Sequence, residues 1–291
     1  MAHTDNYKSV KKILWLILLL NVAVAVVKMV MGTIVSSSSM FADGVHSLSD
    51  GSSNVVGLIG IGFASKPIDE DHPYGHNKFE TIAGLFIAVM LLVVALTIIK
   101  GGIDKLINPV IPHITIESLI VLGGTLVVNI FVATYEKRKG KQLGSLILIS
   151  DSMHTGSDIF VTIGVLITLV GVKLGLPPII DPLLSLVVAL VIIKAAYEIF
   201  SETNGILADK AVEDVKTIEK VALSFPEVKV VHKIRSRGTT NCMYIDMHVQ
   251  VRPNMTVEDS HVLIHQIAAK IKEDINENSQ TIIHIEPYYD K

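Results

Sequence analysis

The chain has 291 residues, half of them apolar and only 18% charged, and its mean hydropathy is +0.53. The charged share lies below the roughly 25% usual in globular domains, which excludes a disordered, collagen-like or purely cytosolic protein. A single cysteine, Cys242, rules out an intrachain disulfide or a cysteine-rich zinc module. A net charge of −3 gives no reason to expect nucleic acid as a partner.

A helix needs about 20 mostly apolar residues to cross a hydrocarbon core of about 30 Å. Six segments qualify: Ile13–Val35, Ser36–Ala64, Phe79–Lys100, Thr115–Tyr135, Leu143–Val170 and Ile179–Phe200. The first carries marks of a signal peptide, with Lys8, Lys11 and Lys12 ahead of it and Ala23-Val24-Ala25 within it. Its apolar course resumes beyond Lys28, however, and it is read as a retained span. With the N-terminus inside, the cytoplasmic segments hold Lys8, Lys11, Lys12, Lys66, Lys78, Lys137, Arg138, Lys139 and Lys141, against Lys100, Lys105 and Lys173 outside. That asymmetry sets both termini in the cytoplasm. The absence of targeting extensions leans towards a multi-pass protein of a bacterial inner membrane.

The second and fifth segments share one polar pattern: Asp43-Gly-Val-His46-Ser-Leu-Ser-Asp50 and Asp151-Ser-Met-His154-Thr-Gly-Ser-Asp158. Offsets of three and then four put each set on one helix face. A carboxylate at the centre of a span costs about 2.5–3.5 kcal/mol on the insertion scale, so the pattern needs a compensating partner. Each set lies about 10–22 Å deep at 1.5 Å per residue. Two matched sets in oppositely directed helices, three crossings apart, have the form of an inverted repeat with a midplane site. His46, Asp50, His154 and Asp158 would give two imidazole nitrogens and two carboxylate oxygens, a set suited to tetrahedral zinc. The competing reading, two polar clusters that merely join helices, does not explain their matched depth. Asp43 and Asp151, one turn away, either orient the imidazoles, line a proton path, or are solvated at helix ends.

The loop after the second segment reads Asp69-Glu-Asp-His72-Pro-Tyr-Gly-His76-Asn-Lys78. Asp69, His72 and His76 are spaced for a metal, with Pro73 and Gly75 bending the chain between the imidazoles; a merely solvated acidic loop is the alternative. The basic run Glu136-Lys-Arg-Lys-Gly-Lys141 is read as a connection.

From Ala211 the order is helix, strand, strand, helix, strand. Val212–Ser224 is a helix stopped by Pro226, and Val230–Ser236 and Cys242–Val251 are strands joined by a turn over Arg237–Asn241. The second strand alternates apolar and polar residues with period two. Thr256 opens a helix through about Ile275 in a capping box with Asp259 in place of Glu, and Thr281–Glu286 is the last strand. The chain thus divides into a helical transmembrane domain, 1–205, and a cytoplasmic α+β domain, 206–291. In the tail His232 and His248 lie on strands, His261 on the helix with His265 one turn on, and His284 and Glu286 share a face of the last strand. No local spacing joins them.

H-x-x-x-D in the second and fifth spans, with D-x-x-H-P-Y-G-H-x-K between the second and third, resembles the cation diffusion facilitator family over nearly the whole length. The resemblance implies a six-helix membrane protein with a metallochaperone-like αββαβ tail. It further implies a homodimeric antiporter, not an enzyme, that exports divalent metal against protons and is in contact with membrane lipid. It puts the transport site on His46, Asp50, His154 and Asp158 and a loop site on Asp69, His72 and His76. A tail site, regulatory or structural, falls on His232, His248, His261, His284 and Glu286, where the glutamate stands in place of a commoner Asp. Lys78 and Asp209 occupy the places of an interdomain salt bridge. Zinc is the first choice of metal, since two imidazoles argue against manganese; cadmium, cobalt, manganese and iron are the alternatives. Zinc needs neutral imidazole and ionised carboxylate, so its binding displaces protons. A metal-sensing receptor or scaffold that does not transport is the runner-up.

Overall fold

The computed structural model describes residues 2–34, 45, 47–48, 51–107, 116–173, 177 and 179–289. Its helices are α1 (Ala2–Ile34), α2 (Ser52–Ala64), α3 (Lys78–Ile107), α4 (Ile116–Leu143), α5 (Leu146–Lys173), α6 (Ile180–Leu207), α7 (Val215–Ala222) and α8 (Val257–Asp274). The strands are β1 (Val228–Thr239), β2 (Cys242–Val251) and β3 (Ser279–Pro287). Two compact units divide the chain, Met1–Thr203 and Asn204–Lys291.

In the first unit, four stretches are long and apolar enough to cross a membrane: Asn6–Met31, Lys78–Ile107, Leu119–Leu143 and Ile180–Leu207. The fifth helix has the length for a crossing as well, but Asp151, His154 and Asp158 interrupt its apolar course. The second expected span is described in part: Val45, Ser47 and Leu48 are helical, and Ser52–Ala64 forms a short apolar helix. Outward-facing Leu19, Val27, Phe86, Val127 and Leu190 are exposed, the surface a lipid-facing helix presents. Inward, one apolar cluster joins Leu14 and Ile17 of α1, Ile61 of α2, Ala83 of α3, Val132 of α4 and Ile147 and Leu148 of α5. A second joins Ala88, Leu91 and Ala95 of α3 to Ile192, Ala196 and Ile199 of α6.

The inward face of α2 carries the small residues Ser53, Gly57, Gly60 and Ala64 at helical spacing, with Asn54 and Ile61 buried beside them. A methyl group on Gly60 would lie 2.3 Å from Cβ of Ala83, so glycine is what lets α2 and α3 come together. The helix α4 continues to Leu143 and the chain reverses at Gly144, with φ of 60°. The segment from Glu136 to Lys141, expected as a connection, is therefore helical, and Glu136 is fully buried.

The second unit is a three-stranded sheet in the order β1-β2-β3, with β1 antiparallel and β3 parallel to β2. A parallel neighbour requires a crossover, and α8 supplies it. Val228 and Val231, Met243 to Val251 on alternate positions, and Leu263, Ile267 and Ile271 of α8 bury a common core with Ile218 of α7. The capping threonine behaves as expected: Thr256 Oγ1 accepts from the Asp259 amide at 3.0 Å, while its hydroxyl donates to the Asp259 carboxylate at 2.7 Å. The second strand of the hairpin keeps the expected bounds, while the first runs further than the sequence pattern indicates at both ends, and only Thr240 and Asn241 are left between them. Gly238 makes this possible, with φ of 107° and the Cys242 carbonyl where a Cβ would stand. Cys242 itself is 8% exposed, its Sγ 3.2 Å from the Tyr244 hydroxyl.

Candidate metal centres

The tail cluster is made by strand register. His232 pairs with His248, and His248 pairs with His284, so three histidines from three strands form one row across the sheet. Glu286 stands two residues further along β3, on the same face. A bulge after His232, where Lys233 takes φ of 51°, inserts one extra residue before the Arg235–Asp246 pair and turns β1 at this point. Glu286 draws the row together. Its carboxylate lies 2.6 Å from His248 Nδ1, 3.2 Å from His232 Nε2 and 3.9 Å from His284 Nε2, and it accepts from Gln250 Nε2 at 3.3 Å. The bond to His248, then that to Gln250, outweigh partial desolvation and hold the Glu286 carboxyl down at about 2. One ligand atom each from His232, His248 and Glu286 fall within 4.8 Å of one another. His284 lies beside His248 with ring centroids 4.7 Å apart and the rings tilted by 50°, while His261 meets His265 on α8, edge to face, at 4.5 Å. The register thus brings together His232, His248, His284 and Glu286, and leaves His261 in a pair of its own.

The loop cluster is made by local bending. Asp69 Oδ1 accepts from the His72 amide at 2.7 Å and faces His72 Nδ1 at 3.1 Å; its Oδ2 faces His76 Nε2 at 3.3 Å. Gly75, with φ of 84°, turns the chain so that the two imidazoles meet at a tilt of 37°, centroids 4.2 Å apart. His76 is buried against Phe79. Desolvation pushes the Asp69 carboxyl up, but the bonds from the His72 amide and ring and the charge of both imidazoles pull it below its ordinary range. Ligand atoms of a tetrahedral zinc lie about 3.3 Å apart with bonds of 2.0–2.1 Å. In both clusters the carboxylate oxygens lie 2.6–3.3 Å from two imidazole nitrogens, and one ligand atom from each of the three residues falls within 4.8 Å of the others, so an ion could take the place of the bridging protons.

Within the first unit, His154 and Asp158 of α5 line a cavity of about 350 Å³, together with Asn21 and Lys28 of α1, Ser47, and Asn129 of α4. Both ring nitrogens of His154 are buried with no hydrogen-bond partner. Orphaned polar atoms in such a place are costly, and a metal ion is one partner that could take the lone pair of an imidazole nitrogen there. His46, Asp50 and Asp43 lie outside the described residues. Asp151 does not face solvent. It is fully buried, and its Oδ2 accepts from Asn54 Nδ2, while Asn54 Oδ1 accepts from Asn21 at 2.9 Å.

The sequence reading misses several polar residues at this site. Lys28, 4% exposed, donates to Ser47 Oγ at 2.8 Å and lines the cavity. Glu136, on α4, accepts from Thr155 at 3.3 Å. The available signal was their polarity inside or at the end of an apolar stretch, the same signal that marked His154. In the tail, Asp209 stands 3.5 Å from Arg237, a neighbour that sequence spacing does not reveal.

Comparison with known proteins covers nearly the whole chain. Residues 14–208 match the cation efflux transmembrane domain, and 211–288 match the cytoplasmic domain of cation efflux proteins. An uncharacterized transporter of Methanocaldococcus jannaschii is 31% identical, over 96% of this chain and 99% of its own. The manganese efflux system proteins MneS and MneP of Bacillus subtilis are 28% and 26% identical, over 91% and 97% of this chain and the same shares of theirs. The chain belongs to the cation diffusion facilitator family of divalent metal efflux transporters.

Proposed function

We propose that the protein exports zinc in exchange for protons, as a homodimer in the bacterial inner membrane with both termini in the cytoplasm. The observation that carries the metal site is His154, whose two ring nitrogens are buried and unpartnered beside Asp158 on a cavity wall. His46 and Asp50 complete the set of four, and imidazole nitrogen paired with carboxylate oxygen suits zinc better than a purely oxygen-seeking ion. Loading requires the imidazoles neutral and the carboxylates ionised, so protons leave as metal arrives and their return helps expel it. Asp69, His72 and His76 would hold metal on the cytoplasmic side. In the tail, His232, His248, His284 and Glu286, with His261, would hold metal that favours the dimer. The match of the tail to the family's cytoplasmic domain supports the dimer.

Manganese is the second reading, because MneS and MneP are manganese efflux proteins by name. Uptake into proteoliposomes under an imposed pH gradient, with zinc, manganese and iron in parallel, separates the two. Zinc uptake that exceeds the others and vanishes in His154→Ala is the expected result; equal flux in that variant rejects the site.

A further inference from the structure

Glu136 of α4 and Asp151 of α5 are both 0% exposed. Each has one oxygen occupied by a neutral donor: Thr155 Oγ1 on Glu136, Asn54 Nδ2 on Asp151. Each also has one buried oxygen, Glu136 Oε1 and Asp151 Oδ1, to which no donor comes. Thr155, whose hydroxyl meets Glu136 at 3.3 Å, follows Asp151 by one helical turn, so the two carboxyls lie on the same face of the α4–α5 contact. Among the described residues, the side chains that meet them are neutral or acidic. From α2 comes Asn54, backed by Asn21 of α1, and Glu80 of α3 is engaged by Ser145. Lys137 and Arg138 on α4 are exposed, and among the described residues no ion pair reaches either acid. Two bare carboxylates so placed in a dry interior repel strongly, and one proton between them removes the conflict.

We propose that Glu136 and Asp151 share a single proton and release it when a divalent cation reaches His154. Asp151 is one turn from His154 on the same helix, and Thr155 both donates to Glu136 and lines the cavity. The arriving double positive charge favours the fully ionised pair. The carboxyl O–H bond breaks, its electron pair stays on oxygen, and the proton passes by way of the Thr155 side to water in the cavity. The pair thereby adds a proton to those displaced from the metal ligands. The metal half of this inference rests on the transport reading; the proton half does not.

Infrared difference spectroscopy on the purified full chain tests both, with zinc and manganese salts as probes. The metal-free protein should show a protonated-carboxyl band that shifts in deuterated water, is missing from Glu136→Gln and from Asp151→Asn, and is bleached by metal. His154→Ala should keep the band and lose its response. Calorimetry in buffers of different ionisation heat should show one proton fewer released per bound metal in Glu136→Gln. Absence of the band, or its survival in both amide variants, overturns the shared proton. A band that neither metal alters overturns the coupling, whatever the flux assay returns.

Discussion

The two described clusters use the same chemistry, a carboxylate gathering imidazoles, but they are put together in opposite ways. The loop cluster takes Asp69, His72 and His76 from eight consecutive residues, and a bend at Gly75 closes it. The sheet cluster draws on three strands, and its ligands are adjacent only because the ladder registers are correct. A local cluster depends on one turn. A register-built cluster depends on the stability of a whole sheet and is held more rigidly in return. The two should therefore fail under different insults.

The largest effect is expected from Gly238→Ala. The new Cβ would stand 2.1 Å from the Cys242 carbonyl oxygen, at a φ that costs about 1–3 kcal/mol in backbone strain alone. The hairpin should lose its register and the sheet cluster its metal, while the loop cluster is untouched. Chelator competition on a His154→Ala background measures both; retention of all tail affinity would show that register is not what assembles the row. Next is His248→Ala, which removes the residue between His232 and His284. Tail affinity should fall about 100-fold or more, beyond the 10–100-fold cost of losing an outer-shell partner. Gly75→Ala is the converse change. Space around it is open to ordinary contact, so the cost is the left-handed backbone, about 1–2 kcal/mol, or roughly tenfold in loop affinity with the sheet cluster unaltered.

The smallest effect concerns acid. Glu286 is held at about 2 against an ordinary 4.5, so its bonds contribute stability that is whole above pH 4.5 and shrinks as pH falls towards 2. Hydrogen-exchange protection of β2 and β3 in the metal-free protein, relative to the intrinsic rate at each pH, should fall across that interval. Glu286→Gln should exchange faster at neutral pH and show less acid dependence. Identical pH profiles for the two proteins would remove Glu286 as the acid-sensitive clamp.

Legibility in the sequence follows the same division. The loop triad is visible because its parts are near neighbours in the chain. The strands and α8 are visible through alternation and the Thr256 cap, but the alignment of His232, His248 and His284 is not, because register is a property of pairing between segments. A bulge at Lys233 shifts it further from any simple count. In the first unit, the intramembrane His154 and Asp158 announce themselves by being polar where apolar residues belong. Glu136 does not, since the basic residues after it resemble a loop and only the continuation of α4 buries it. His46 and Asp50 fall outside the described residues, so the second half of the proposed transport site stands on its motif.

Cys242 offers an unplanned convenience. As the chain's one thiol, buried where β2 begins beside the Gly238 turn, it is shielded from maleimide reagents while the strands stay zipped. Its alkylation rate is a built-in clock for opening of that end of the sheet, and a fluorophore placed on an introduced surface cysteine would report from its own position without deleting the native one.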